Sequence, residues 1–280
     1  PQISRSSGAG KSRERAMPRL KRTEAEVALA DSAGPEFLEA LARGLRVIEA
    51  FNRERKQMTL ADAAKAVDLP RASVRRTLMT LVTLGYAETD GRLFRLTPRI
   101  LTLANAYLSS NATSDIIQPA LERLSAEVNE ACSCAVLDGE DMVMVAHASP
   151  NRLVAVSAQI GLRLPAYASS LGRVMLSAMD DAALDKFLAR VKPVKLTPST
   201  LTDKADIRKA ILNVRKDGFS LVDQGVEMGF RSISVPLRRR DGRIIAALNI
   251  GVHSVPLDTM RQTFLPKLAA TADALRRQLI

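Results

Sequence analysis

Apolar residues recur near every third or fourth position from Phe37 to Phe51. Phe37, Leu38, Leu41, Leu45, Ile48 and Ala50-Phe51 share one face at the helical period. Asn52 to Gln57 is a charged break. Thr59 then stands as an N-cap for Leu60–Val67, with Asp62 three positions on, the spacing of a capping box. Asp68-Leu69-Pro70 predicts a tight turn. A third helix runs from Arg71 to Leu84, and Gly85 stops it as a C′ glycine. Tyr86–Thr89 and Arg92–Leu96 then flank Asp90-Gly91, the pattern of a hairpin. Three helices, a short turn between the second and third, and a basic hairpin make a winged helix-turn-helix over residues 35–97.

Thr97-Pro98 opens a further helix through Ile100, Leu103 and Tyr107, which reads as a linker over 98–110. Residues 111–280 mix both periods. Ser114 is expected to cap a helix carrying Ile116, Ile117, Leu121, Leu124 and Val128. Cys132–Leu137 and Met142–Ala148 read as strands, and Leu153–Ile160 as a third. Helices are expected over Ser169–Ala178, Asp180–Val191 and Asp203–Asp217. A strand follows at Phe219–Val222, then a hairpin of Arg231–Leu237 and Arg243–Val252, then a terminal helix Leu257–Leu279. Strands with helices before, between and after them give an α+β domain.

Composition narrows the function classes. The chain has 280 residues and 46% hydrophobic content, enough for two ordinary domains. No apolar run reaches the roughly 18 residues of a membrane span. The basic, polar start is not a secretory signal. Two cysteines, Cys132 and Cys134, suit a reducing compartment better than a disulfide framework, so a cytoplasmic location is expected. Residues 1–34 read as a disordered basic tail. Its Gly8-Ala9-Gly10-Lys11-Ser12 lacks the earlier glycine and the preceding strand of a phosphate loop.

Net charge is +11, and residues 1–100 carry 19 Lys+Arg against 12 Asp+Glu. A basic winged helix-turn-helix points to double-stranded DNA. In the third helix Val74, Leu78, Leu81 and Val82 form the buried stripe, leaving Arg71, Ser73, Arg75 and Arg76 outward to meet a major groove. Arg92 and Arg95 of the wing would reach the flanking backbone, and Thr59 joins the DNA-facing set. The plainer alternative is a small helical domain with a solvated basic face. His147 and His253 have no partners at metal-ligand spacing, and no catalytic constellation is present. No catalytic or metal residue, no cofactor and no enzyme activity are therefore expected.

Four ordered blocks carry a resemblance. They are Arg71–Leu78; Leu164-Pro165-Ala166-Tyr167-Ala168-Ser169-Ser170-Leu171-Gly172-Arg173; Gly218–Gln224; and Gly229-Phe230-Arg231-Ser232-Ile233-Ser234-Val235-Pro236 followed by Ala247–Ile250. These resemble the IclR regulators, over nearly all of residues 36–280. Pro165–Ala168 with Gly172-Arg173, and Asp223-Gln224, are most similar to the subgroup that controls aromatic catabolism through the β-ketoadipate pathway. The resemblance implies a GAF-like effector-binding domain over 111–280, homodimers that pair into dimers of dimers, and a small organic or aromatic acid as effector. Carried over by position, the effector contacts are Met144, Tyr167, Ser169, Ser170, Leu171, Gly172, Leu221, Asp223, Arg231, Ser232 and Asn249, with Ile250 in the wall. A helix N-terminus at Ser170-Leu171 suits a carboxylate. Duller roles compete: Asp223 as a turn cap, Asn249 bonding backbone, Tyr167 as core, Arg231 paired with Glu227. Arg152 and Arg163 are candidate counterions or plain surface. The rival functions are a repressor answering a small keto acid, a ligand-independent DNA binder, and an enzyme on the sensor fold.

Overall fold

A computed structural model describes residues 34–52, 54–110, 112–150 and 159–279. The basic tail and most of the expected strand 153–160 lie outside the described residues, as does Arg152. Contacts divide the chain into two units between Asn105 and Ala106, within the expected linker.

The first unit holds α1 (Glu39–Glu49), β1 (Met58–Thr59), α2 (Leu60–Val67), α3 (Arg71–Thr83), β2 (Ala87–Thr89) and β3 (Leu93–Leu96). Thr59 closes the capping box on α2: its hydroxyl accepts from the Asp62 N–H while the Asp62 carboxylate takes the Thr59 N–H. Asp68 ends α2 in the left-handed region at φ 50°. The core is Val47, Met58, Ala63, Val67, Val74, Leu78, Leu81 and Phe94. The periodicity did not reveal β1. It pairs with β3, so the wing is a three-stranded sheet ordered β1-β3-β2.

A 3₁₀ turn at Pro98–Ile100 leads into α4 (Leu101–Ser110), and α5 (Ala112–Val128) follows. Ser114 thus lies inside α5 and does not cap it. The second unit continues with β4 (Ala131–Asp138), β5 (Asp141–Ala148), β6 (Arg163–Pro165), α6 (Ser170–Ser177), α7 (Asp181–Arg190), α8 (Lys204–Asp217), β7 (Ser220–Asp223), β8 (Phe230–Arg238) and β9 (Ile244–His253). The terminal helix runs as a turn α9 (Leu257–Thr259), a π-helical segment Met260–Phe264, and α10 (Leu265–Arg276). Gln159 and Ile160 are not in a strand, residues 153–158 lie outside the described residues, and the sequence pattern did not reveal β6.

Six strands make an antiparallel sheet ordered β6-β5-β4-β9-β8-β7 among the described residues. One face packs on α5, the π-helical segment and α10 through Ile117, Leu121, Leu124, Met260, Leu268 and Leu275. Cys132, Cys134, Ile233, Leu248 and Ile250 meet them from the sheet. The other face carries α6, whose Leu171, Val174 and Met175 pack on Ala135, Met142 and Ala247. A third cluster joins Tyr167, Leu176, Leu184, Phe187, Ile207 and Ile211. No helix among the described residues is long and apolar enough to cross a membrane.

Candidate functional site

The expected DNA-facing surface depends on how α3 is held. It packs on both α1 and α2, so its buried arc is wider than a single stripe. Ser73 falls inside that arc at 5% exposure and is not on the outer face, contrary to the sequence expectation. Arg71, Arg75 and Arg76 are exposed, as are Arg92 and Arg95 in the wing. Arg95 pairs with Glu88 across β2 and β3 at 2.7 Å, which leaves Arg92 the unpaired wing cation of the two among the described residues. The Thr59 hydroxyl is engaged by Asp62, donating to its Oδ2 at 2.7 Å, so that side chain is occupied by capping.

The second unit contains a cavity of about 210 Å³ between the sheet and the start of α6. Ser169, Ser170 and Leu171 of α6 and its cap line one side; Ser133, Met142 and Met144 come from β4 and β5. Phe230, Ser232, Asn249 and Gly251 come from β8 and β9, and Val226 and Glu227 from the loop between β7 and β8.

Glycine sets the position of α6. A Cβ at Gly172 would fall inside contact distance of the Ala166 Cα and carbonyl, so only glycine lets the helix sit down on segment 165–168. The Ser169 hydroxyl accepts the Gly172 N–H at 3.0 Å, and the Ser169 carbonyl takes the Arg173 N–H at 3.0 Å. By helix geometry the N–H groups of Ser170 and Leu171 stay free of intrahelical bonds, with the positive dipole end behind them. The Arg173 guanidinium, 8% exposed, donates to the Tyr167 carbonyl at 2.9 Å, and burial pulls its pKa down to about 10.

A buried hydroxyl chain underlies this helix end. Ser170 Oγ donates to Ser232 Oγ at 2.7 Å and lies 2.7 Å from Ser234 Oγ. A hydroxyl has one proton. With Ser170 donating to Ser232, Ser234 must donate to Ser170, and the Ser232 proton is left available to a group in the cavity that Ser232 lines. At the sheet's other side Ser133 Oγ lies 2.9 Å from His147 Nδ1. Burial holds the His147 imidazole below its ordinary value, in its neutral form.

Of the expected effector residues, Met144, Ser169, Ser170, Leu171, Ser232 and Asn249 meet around the cavity. Leu221, Asp223 and Arg231 do not, and strand parity is the reason. Asp223 opposes Arg231 and Leu221 opposes Ile233, on the face that turns to α5 and α10. Asp223 and Arg231 pair with each other at 2.7 Å, and Arg231 also donates to the Val255 carbonyl at 2.7 Å. Ile250 belongs to the same far face. The Tyr167 hydroxyl donates to the Val194 carbonyl and accepts the Val194 N–H, so the ring is buried core and does not wall the cavity. Gly172 acts by packing on Ala166, one residue beyond the lining. Arg163 is surface: it pairs with Asp138 and Asp141. Sequence reasoning missed Ser133, Phe230 and Ser234. Parity with Ser232 and Asn249 was the available signal, because Ser234 shares Ser232's face and Ser133 opposes Asn249. Cys132 and Cys134 face the core, and burial pushes both thiols up to about 12.

Comparison with known proteins finds relatives of both units. Residues 40–91 match the IclR helix-turn-helix domain, and residues 105–277 match the bacterial transcriptional regulator IclR C-terminal domain. The chain is 43% identical to the Pca regulon regulatory protein of Pseudomonas putida, over 88% of this chain and 85% of that one. It is 33% identical to the p-hydroxybenzoate hydroxylase transcriptional activator of Acinetobacter baylyi, over 86% and 92%. Among solved structures, a transcriptional regulator of Rhodococcus sp. RHA1 is similar at TM-score 0.77 and 42% identity, covering 87% of this chain and 98% of that one. An IclR homologue of Microbacterium hydrocarbonoxydans, solved with 4-hydroxybenzoate, is similar at TM-score 0.72 and 26% identity, over 86% and 98%. With family models matched over both the helix-turn-helix and the sheet domain, the chain belongs to the IclR family of transcription regulators.

Proposed function

We propose that this regulator reads operator DNA with Arg71, Arg75, Arg76 and Arg92, and that a small aromatic acid in the sheet-domain cavity controls the response. The observation that carries the effector half is the cavity itself. It joins a helix N-terminus, a donating serine and apolar walls of Met142, Met144 and Phe230. A carboxylate fits the Ser170 and Leu171 N–H groups, and a ring fits the methionines and Phe230. At about 210 Å³ the cavity is smaller than the ~300–1,000 Å³ of drug-sized sites, which suits a single-ring acid. The named activity of the Acinetobacter relative and the 4-hydroxybenzoate in the Microbacterium structure support the same class.

The regulator acts as a homodimer, and dimers pair further. Leu38, Leu41 and Leu45 stand 69%, 60% and 48% exposed along one side of α1 and its start, and Leu101 and Leu103 of α4 are exposed too. Apolar rows of this kind are an interface for a second copy.

Calorimetry of the purified protein against protocatechuate, 4-hydroxybenzoate, β-ketoadipate, glyoxylate and pyruvate tests the effector reading. Saturable binding of an aromatic acid supports it. Binding of only the keto acids keeps a ligand-responsive regulator and removes the aromatic class. If none binds to folded protein, a ligand-independent DNA binder takes its place.

A further inference from the structure

One polar row crosses the cavity face of the sheet. Ser220 of β7 opposes Ser234 of β8; Ser234 opposes Asn249 of β9; Asn249 opposes Ser133 of β4; and Ser133 opposes His147 of β5. Only Asn249 and Ser133 of this row line the cavity; Ser234 and His147 stand behind it, one on each side. Neighbouring strands lie about 4.8 Å apart, so the row from Ser234 to His147 is roughly 14 Å long. This is longer than a single-ring acid, so the two ends of an effector would meet different parts of the row.

The ends have opposite hydrogen-bonding character. At the Ser234 end the hydroxyl chain leaves the Ser232 proton available to a group in the cavity, a donor for a carboxylate. At the other end Ser133 meets His147 Nδ1. A neutral imidazole carries one proton and one acceptor nitrogen, and the intrinsically preferred neutral form has the proton on Nε2. Nδ1 then accepts the Ser133 proton, and Ser133 shows the cavity only lone pairs. The imidazole is held in place through its own backbone. The Gln118 amide of α5 donates to the His147 carbonyl at 3.0 Å and accepts the His147 N–H at 3.3 Å.

We infer that His147 is a positioning residue for specificity: by taking the Ser133 proton it makes that end of the cavity an acceptor, which selects acids bearing a hydroxyl donor over the same acids without one. This rests on the aromatic-acid reading above. A hydroxyl lacking an acceptor there would lose one hydrogen bond, worth about 0.5–1.5 kcal/mol. That corresponds to about a 2- to 12-fold difference in affinity.

The test is calorimetry of the full chain and of His147→Ala and His147→Asn with four probes: benzoate, 3-hydroxybenzoate, 4-hydroxybenzoate and the methyl ether of whichever hydroxybenzoate binds better. The wild-type protein should favour a hydroxybenzoate over both benzoate and the ether by about 3- to 10-fold. His147→Ala should level the series while leaving benzoate affinity within about twofold. Asparagine places a carbonyl near the position of Nδ1, so His147→Asn should restore part of the preference; a structural role would not follow that pattern. A melting curve on each variant separates misfolding from lost selectivity, and the wild-type ether comparison needs no variant. An ether or benzoate preferred by the wild-type protein would overturn the inference, as would an unchanged series in His147→Ala. If the benzoates bind nowhere, the aromatic-acid reading falls and takes this inference with it.

Discussion

Replacing Gly172 with alanine separates helix propensity from packing, because the two predict opposite signs. In an open helix the change would stabilise by about 1 kcal/mol. Here the new methyl meets the Ala166 Cα and carbonyl, backbone atoms that cannot rotate aside, in a segment that is fully buried. Overpacking of this kind costs up to about 3 kcal/mol. The net expectation is a loss of about 2 kcal/mol, or about 4–8 °C in melting temperature for a domain of this size. The same shift lifts the Ser170 and Leu171 N–H groups away from Ser232, so effector binding should weaken as well. Thermal melts with and without 4-hydroxybenzoate measure both effects. A melting temperature that stays level or rises would refute the seating of α6 described above.

Arg75→Ala should weaken operator binding by about 1–3 kcal/mol if the side chain reads a base; equal losses on operator and random duplex in a gel-shift titration would reduce it to a phosphate contact. Ser232→Ala should weaken aromatic-acid binding by about 1.5–3 kcal/mol, the worth of a hydrogen bond to a charged group, with little change in melting temperature. Its neighbour Arg231→Ala should do the reverse, lowering the melting temperature and sparing affinity; calorimetry and melting together would show the two moving in step if the parity assignment failed. Cys132 and Cys134 have folded pKa values raised from 9.0 to about 12. Their contribution is therefore complete below pH 9 and is lost as pH rises toward 12, since only the unfolded thiols ionise in that window. Urea titrations should show stability falling more steeply above pH 9 in the wild-type protein than in the Cys132→Ala/Cys134→Ala variant.

Apart from Ser114, which lies inside α5, the helices and their caps were legible because each is signalled locally. Thr59 with Asp62, the left-handed stop at Gly85, and the turn at Asp90-Gly91 all act within a few residues of where they stand. The short strands β1 and β6 were not. Two or three residues carry no period, and what makes Met58-Thr59 a strand is the distant edge of β3. Ser73 was misplaced for a related reason. A stripe drawn from Val74, Leu78 and Leu81 assumes one packing partner, whereas α3 packs on α1, α2 and β2.

The cavity was half legible, and the missing half is a matter of strand faces. Residues 231 and 232 cannot share a face in a regular strand, nor can 249 and 250, so a list holding both members of each pair contains its own contradiction. Serine and asparagine belong inward here because the cavity is their solvent; Arg231 reaches the other side, where Asp223 meets it. Simple alternation fails at two places, at Ile245 of β9, where the β8 register shifts between Leu237 and Arg238, and at β5, where the break reaches the cavity. Regular alternation would put Met144 and His147 on opposite faces. The register shifts there: Cys134 pairs with Ala146 and the next residue, Ala135, pairs with Met144, leaving Val145 as an extra residue. This β-bulge switches the even-numbered residues from the cavity at Met142 and Met144 to the core at Ala146 and Ala148. It thereby brings His147 onto the same face as Met144, behind Ser133. No local signal in Met142–Ala148 announces that switch. It is set by β4, which keeps strict alternation between a helix-packed side at Cys132 and Cys134 and a cavity side at Ser133 and Ala135, and β5 must bulge to match both.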